Sequence, residues 1–490
     1  MLLDAFDPDH PDHPWWARFE FTKAHRLEAT PNYPDTVEGT TPGFENFTFS
    51  PGSLDSFDQL WLFGHEGAFQ SSVLNHGEQN VVHDFMNDGG GVLAMGDHED
   101  LGAGLCGDII RVSSMRTWFY QSPPPRLGMP KAPPIKGPGA NSTVAAGPYS
   151  GESDWKPQTI FPVYRYSHPS WDPWTRLSYP HPILCGPRGA ITVLPDHIHE
   201  GACFDPDLSV FSAHYPNGFA PEIIAHGISA YPTPTPLPFA TAASNSPTTP
   251  YAPRSFGLVS VWDGQDPRAG GERGRVVVDS TWHHWFNNNL GGFRYIERNV
   301  PEYRDILCYF RNVAVWLAST SRQTQMRRSA LVGAMLTPTM IELTSTLRDY
   351  QPARFYEIGE AAKQALGRIA PACQAGKWWH DWLIAETEVS LRHVLDKPRD
   401  DHNGIDVMQA AVVDLVTKTM AGAMFNAVAI RINEARFQAL EKVVDEVDDA
   451  GAEGAKLGRE AIAAALARAQ GKLAPVFEAA RAPKGAKDAS

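Results

Sequence analysis

Three consecutive ionisable side chains, Asp97, His98 and Glu99, follow a short apolar run, Val92-Leu93-Ala94-Met95, that opens on Gly89-Gly90-Gly91. Imidazole and carboxylate side by side serve either as general acid and base or as ligands for zinc, manganese or iron. Three other segments carry the same residue types: Gly64-His65-Glu66-Gly67, Asp196-His197-Ile198-His199-Glu200 and Trp282-His283-His284. A helix cap accounts for one such side chain after a strand, but not for three. Asp97, His98, Glu99 and His283 are therefore the candidate catalytic groups. Glycine lets backbone approach a ligand, so Gly64, His65, Glu66 and Gly67 could hold negative charge on a substrate. A tight turn with an exposed histidine is the plain alternative. A metal reading takes His98, His199 and Glu200 as ligands of a divalent zinc, manganese or iron ion. Metal-free proton transfer, with no cofactor, is the other reading, and a single His-x-His does not choose between them.

These groups need elements to present them. Val92 to Met95, bounded by glycines, suits a buried strand of a parallel sheet. Phe57 to Phe63 reads as another strand, and Gln79 to Asn87 carries Val81, Val82, Phe85 and Met86 at helical spacing. Strand, helix and strand at this interval make a βαβ unit. Further strands are expected around Ala17–Phe21, Ala190–Leu194, Phe256–Trp262 and Gly274–Asp279. If the sheet is parallel, all four polar turns can open on one edge, where ligands of open α/β sheets bind. Proline-rich stretches at about 122–150 and 231–253 read as long loop insertions. Residues 1–299 thus form an α/β domain. After Asn299 the pattern turns helical, with Ile306, Phe310, Val313 and Leu317 on one face and a nearly unbroken run from Ile405 to Val447. An all-α domain is expected over 300–480, with a disordered tail over 481–490. Cys106 reads as packing inside a helix rather than as a nucleophile, and Trp378-Trp379-His380 as helical core. Arg111 and Arg116 could clamp an anionic substrate, although surface arginines are commoner.

Composition narrows the partners. The 490 residues are 20% charged and 42% hydrophobic, which is a folded chain. A formal charge of −14 argues against nucleic acid or an anionic membrane as partner. No apolar stretch reaches the ~18 residues of a membrane span, and the first residues lack the features of a secretion signal. Five well-separated cysteines without a Cys-x-x-Cys pair fit a reducing cytoplasm rather than a disulfide framework. A small-molecule substrate is the expected partner. The long amphipathic helices could also assemble a homo-oligomer.

The order of these motifs resembles the ThuA-like branch of the class I glutamine amidotransferase-like fold. Gly89-Gly90-Gly91-Val92-Leu93-Ala94-Met95 is similar to the strand leading to that family's elbow. His181-Pro182-Ile183 with Gly186 resembles its His-Pro-Ile-x-x-Gly segment, and Gly274-Arg275-Val276 followed by His283 its closing strand and active-edge histidine. Phe57 to Gly67 is similar to the strand and glycine turn of the oxyanion site. The resemblance spans roughly residues 50–290. It implies an α/β, flavodoxin-like, mostly parallel sheet and an enzyme of hydrolase or related acid/base type. Where amidotransferases place a nucleophilic cysteine, this chain has Gly96 and Asp97. Glutamine hydrolysis through a thioester is therefore not expected. An inactive ligand-binding or assembly scaffold is the alternative. The resemblance does not reach the helical domain.

Overall fold

The computed structural model describes residues 3–6, 17–26, 41–44, 46–64, 73–97, 101–116, 118, 157–167, 178–186, 188–195, 201–229, 254–285, 301–345, 352–370, 375–376, 378–379, 382, 407–435 and 440–481. Contacts divide the chain into two compact units, 1–166 with 179–323 and 167–178 with 324–490.

The first unit is built on a six-stranded sheet. Its strands are β1 (Gln59–Phe63), β2 (Gly91–Met95), β3 (Phe161–Pro162), β4 (Glu222–Ser229), β5 (Arg254–Trp262) and β6 (Val276–Asp279), in the order β1-β2-β6-β5-β4-β3. β1, β2 and β6 run parallel, and β5, β4 and β3 continue the sheet antiparallel. The βαβ unit is present, with α1 (His76–Asn87) between β1 and β2. Asn75 starts α1 as half of a capping box: its side chain accepts from the Glu78 amide, and the Glu78 carboxylate accepts from the Asn75 amide.

Alternation along β2 and β6 divides the core into two layers. Val92, Ala94, Val276 and Val278 join Val82 and Met86 of α1 on one face. Leu93, Met95 and Val277 face the other way, onto Ile306, Phe310 and Val313. These last belong to α2 (Pro301–Leu317), which packs on the sheet. The boundary between units therefore falls after Gln323, beyond the composition change at Asn299. Gly91 admits this packing, because a Cβ there would overlap the Leu317 carbonyl.

Other sequence expectations shift. The strand expected at Ala17–Phe21 lies at Thr22–Ala24, and β4 was not marked by the pattern. Val193–Pro195 is a strand, but it pairs antiparallel with Pro157–Thr159 in a separate ribbon. The turn after it does not extend a strand of the main sheet. Cys106, Cys203 and Cys308 are free and buried. Cys185 is disulfide-bonded, which departs from the reducing setting that the cysteine spacing suggested.

In the second unit α5 (Pro352–Ile369), α6 (Val407–Glu434) and α8 (Val447–Arg481) pack together, beside α4 (Pro338–Ser345) and α7 (Leu440–Asp445); α3 (Thr320–Met335) crosses the unit boundary. The long helical run is described as α6 and α7, and residues 436–439 between them lie outside the described residues. Gly359 and Gly422 bring two backbones into contact, since a Cβ at either would overlap a carbonyl of the facing helix. Trp378, Trp379 and Trp382 are buried, with the last two against Phe425. Among the described residues no helix is long and apolar enough to cross a membrane.

Candidate active site

β2 and β6 are parallel neighbours with Met95 opposite Asp279, so the residues that follow them emerge together at one sheet edge. Backbone bonds knit that edge: Gly64 donates to the Met95 carbonyl at 3.0 Å, Trp282 to that of Gly96 at 2.8 Å, and Asp97 to that of Leu101 at 3.0 Å. Gly102 holds a left-handed φ of +90°, and a Cβ there would strike the Cα of Gly96. Two glycines thus let the chain leaving β2 fold back on itself and aim Asp97 inward.

Asp97 is 1% exposed. Its Oδ1 accepts from Thr281 Oγ1 at 3.1 Å, and its Oδ2 lies 3.4 Å from His283 Nε2. Thr281 Oγ1 also accepts from the His283 amide at 3.0 Å, which fixes the turn carrying the imidazole. The His283 ring stacks on Trp282 with centroids 3.7 Å apart, and its side chain keeps 12% of its surface open. Beneath them, Arg116 donates to the carbonyls of Asp97 and Ser280, tying the end of β2 to the end of β6. Its guanidinium lies 4.6 Å from the Trp118 ring. Burial lowers the Arg116 pKa, and attraction to Cys203 and Asp97 offsets part of that.

Directly behind stands a second, closed network. Asp279 Oδ1 meets His284 Nδ1 at 2.6 Å, while Oδ2 accepts from Trp285 Nε1 at 2.9 Å and Tyr309 OH at 3.0 Å. His284 Nε2 in turn contacts Gln158 of the separate ribbon. Burial, together with the Asp279 carboxylate, raises the Tyr309 pKa well above the ordinary phenol value.

Of the sequence candidates, Asp97 and His283 are brought together from segments 186 residues apart. Gly64 lies at the same edge, but its amide is taken by the Met95 carbonyl and has no proton left for a substrate oxyanion. His65, Glu66, Gly67, His98, Glu99, His199 and Glu200 fall outside the described residues. The residues flanking the 196–200 segment do reach this region: Gly201 donates to the Ser280 carbonyl at 3.2 Å, and the Pro195 carbonyl accepts from Gln158 at 3.5 Å. Among the described residues no group of three His, Cys, Asp or Glu side chains could hold a metal ion. Cys106 is buried within its helix. Arg116 and Arg111 are both buried, so neither is the ordinary surface arginine that is the commoner case. Thr281 was missed in the sequence reading, although a hydroxyl two residues before His283 was its signal. Arg116 carried none, because its partners are carbonyls that only the fold brings near.

Asp97 is placed to orient His283 and to stabilise its imidazolium, an arrangement capable of general acid/base chemistry. A 3.4 Å contact is long, as such bonds often are before substrate tightens them. Comparison with protein-family models, curated proteins and solved structures finds no match for this chain.

Proposed function

We propose that this chain is an acid/base enzyme, a ThuA-like hydrolase of the class I glutamine amidotransferase-like fold without a cysteine nucleophile, acting on a small polar substrate. The observation that carries the reading is the Asp97–His283 pair at the carboxyl edge of two adjacent parallel strands. Asp97 orients the ring through Nε2, and the imidazole exchanges a proton with water or substrate. Thr281 fixes the carboxylate, and Arg116 fixes the two strand ends. A divalent ion, were His98, His199 and Glu200 to hold one, would supply Lewis-acid activation of water.

The test is turnover of a panel of small esters, lactones, amides and phosphate esters by the full chain and by His283→Ala and Asp97→Asn, with the metal content of each measured. We expect both variants to fold and to lose about 10²–10⁴-fold in kcat/KM. Turnover undiminished in His283→Ala would remove the pair from the chemistry. Stoichiometric metal in the wild type, lost from His98→Ala and His199→Ala, would add the ion to the mechanism.

A further inference from the structure

At the opposite edge of the same sheet lies a cluster the acid/base site does not use. Arg111 is 2% exposed yet has no carboxylate partner among the described residues. Its Nη2 donates to Asn87 Oδ1 at 2.6 Å, its Nε to the His214 carbonyl at 3.2 Å, and its guanidinium lies 4.8 Å from the Trp262 ring. Its Nη1 is buried with no hydrogen-bond partner. The residue holds a left-handed φ of +70°, unusual for arginine, and that conformation sets the side chain inward.

The surroundings are positive or donor-rich. Arg273 is close enough for its charge to depress the Arg111 pKa, which falls to about 10, chiefly through burial. Arg273 itself reaches only the Ala269 carbonyl, at 3.2 Å, among the described residues. Of the carboxylates of its hairpin, Asp263 is engaged by Arg275 and Asp266 by Arg268, while Glu272 is exposed. His214 accepts the Arg111 amide on Nδ1 at 3.1 Å, so its neutral ring carries the proton on Nε2. Burial, then the Arg111 charge, lowers its pKa to about 4 and keeps the ring neutral. The Gly274 amide donates to the Met86 carbonyl at 2.7 Å, which sets Arg273 beside the end of α1 where Asn87 meets Arg111. A buried guanidinium with a second arginine near it and an unused donor lacks the anion that normally accompanies such a group.

We propose that Arg111, Arg273 and His214 form a binding site for a phosphate-type oxyanion, either inorganic phosphate or a phosphoryl group on a small molecule. Exposed Asn87 accepts from the guanidinium, which therefore lies one side chain below the surface, and displacement of that side chain admits the anion. The site is independent of Asp97 and His283.

Isothermal titration of the full chain with inorganic phosphate, and separately with glycerol phosphate, at pH 7 and fixed ionic strength tests this. We expect a saturable one-to-one isotherm with at least one of them, and a Kd about tenfold weaker or more in Arg273→Gln and Arg111→Gln. Binding of both ligands assigns the site to the free anion; binding of the ester alone assigns it to a carried phosphoryl group. Arg273 is half-buried, so its variant decides the matter even if Arg111→Gln does not fold. No saturable heat with either ligand, or a Kd unchanged in Arg273→Gln, overturns the proposal.

Discussion

Removing the Asp279 carboxylate should be among the costliest single changes in the first unit. The side chain is fully buried and accepts from His284 Nδ1, Trp285 Nε1 and Tyr309 OH at 2.6, 2.9 and 3.0 Å. Asp279→Ala leaves these three donors, and more weakly the Thr281 amide at 3.4 Å, without their acceptor in the core, and each full loss costs about 1–3 kcal/mol. The donors share one cavity and can partly re-pair. The expected loss is therefore about 3–5 kcal/mol, the range found when one member of a buried pair is deleted. Against a domain stability of about 5–15 kcal/mol, that is a large fraction. Urea unfolding followed by tryptophan fluorescence should show the midpoint falling by about 1–2 M. Asp58→Ala is the control, because it breaks a pair with Arg322 in which both side chains are more than half exposed, worth at most about 1 kcal/mol. If Asp279→Ala shifts the midpoint no more than the control does, the three donors are not held by this carboxylate and the network is misjudged.

Two further predictions follow from groups outside the site. His181 is buried against Trp316, and burial followed by the Arg275 charge lowers its pKa to about 3. The unfolded chain therefore binds a proton that the folded chain refuses, so stability falls as pH drops from about 6.5 toward 3, by about 1.4 kcal/mol per pH unit for this residue. His181→Phe should flatten the pH dependence of the unfolding free energy between pH 6 and 4, and an unchanged slope would contradict the assignment. In the second unit, Gly422→Ala places a methyl on the Phe355 carbonyl and must push α5 from α6. The loss should exceed the 1–3 kcal/mol typical of overpacking, because backbone cannot rotate aside, and circular dichroism during heating would show it.

What the sequence made legible was the parallel half of the sheet. Val92 to Met95 and Val276 to Val278 are short, apolar and bounded by glycine or polar turns, and local pattern suffices for such strands. β4, Glu222–Ser229, escaped because Glu222, His226 and Gly227 interrupt its hydrophobic run, and only pairing with β5 makes it a strand. The helix Pro301–Leu317 was legible as a helix, but not as a layer of the sheet. Its apolar face looks the same whether it meets helices or strands. Asp97 and His283 stood out by residue type, while their pairing depended on a strand order that no local pattern encodes. Arg116 and Arg111 show the limit most plainly. Each reads as an ordinary surface cation until the fold buries it.

Asp97–His283 and Asp279–His284 are two Asp–His pairs in one small region, and the local backbone separates their roles. Trp282–Trp285 is a single 3-10 turn, in which successive residues point about 120° apart. His283 and His284 therefore cannot share a face. His284 turns into the core, where it and Asp279 are 0% exposed and both carboxylate oxygens already have donors. No substrate proton can reach that pair without opening the layer of α2. His283 turns to the edge, keeps part of its side chain open, and lies 3.4 Å from Asp97 Oδ2. The closed pair fixes the turn, and the turn aims the open pair. His284→Asn should consequently disturb His283 as well as stability, whereas His283→Asn should leave the Asp279 network and its contribution to folding intact. Substitutions at the two positions are thus separable by comparing unfolding midpoints with turnover.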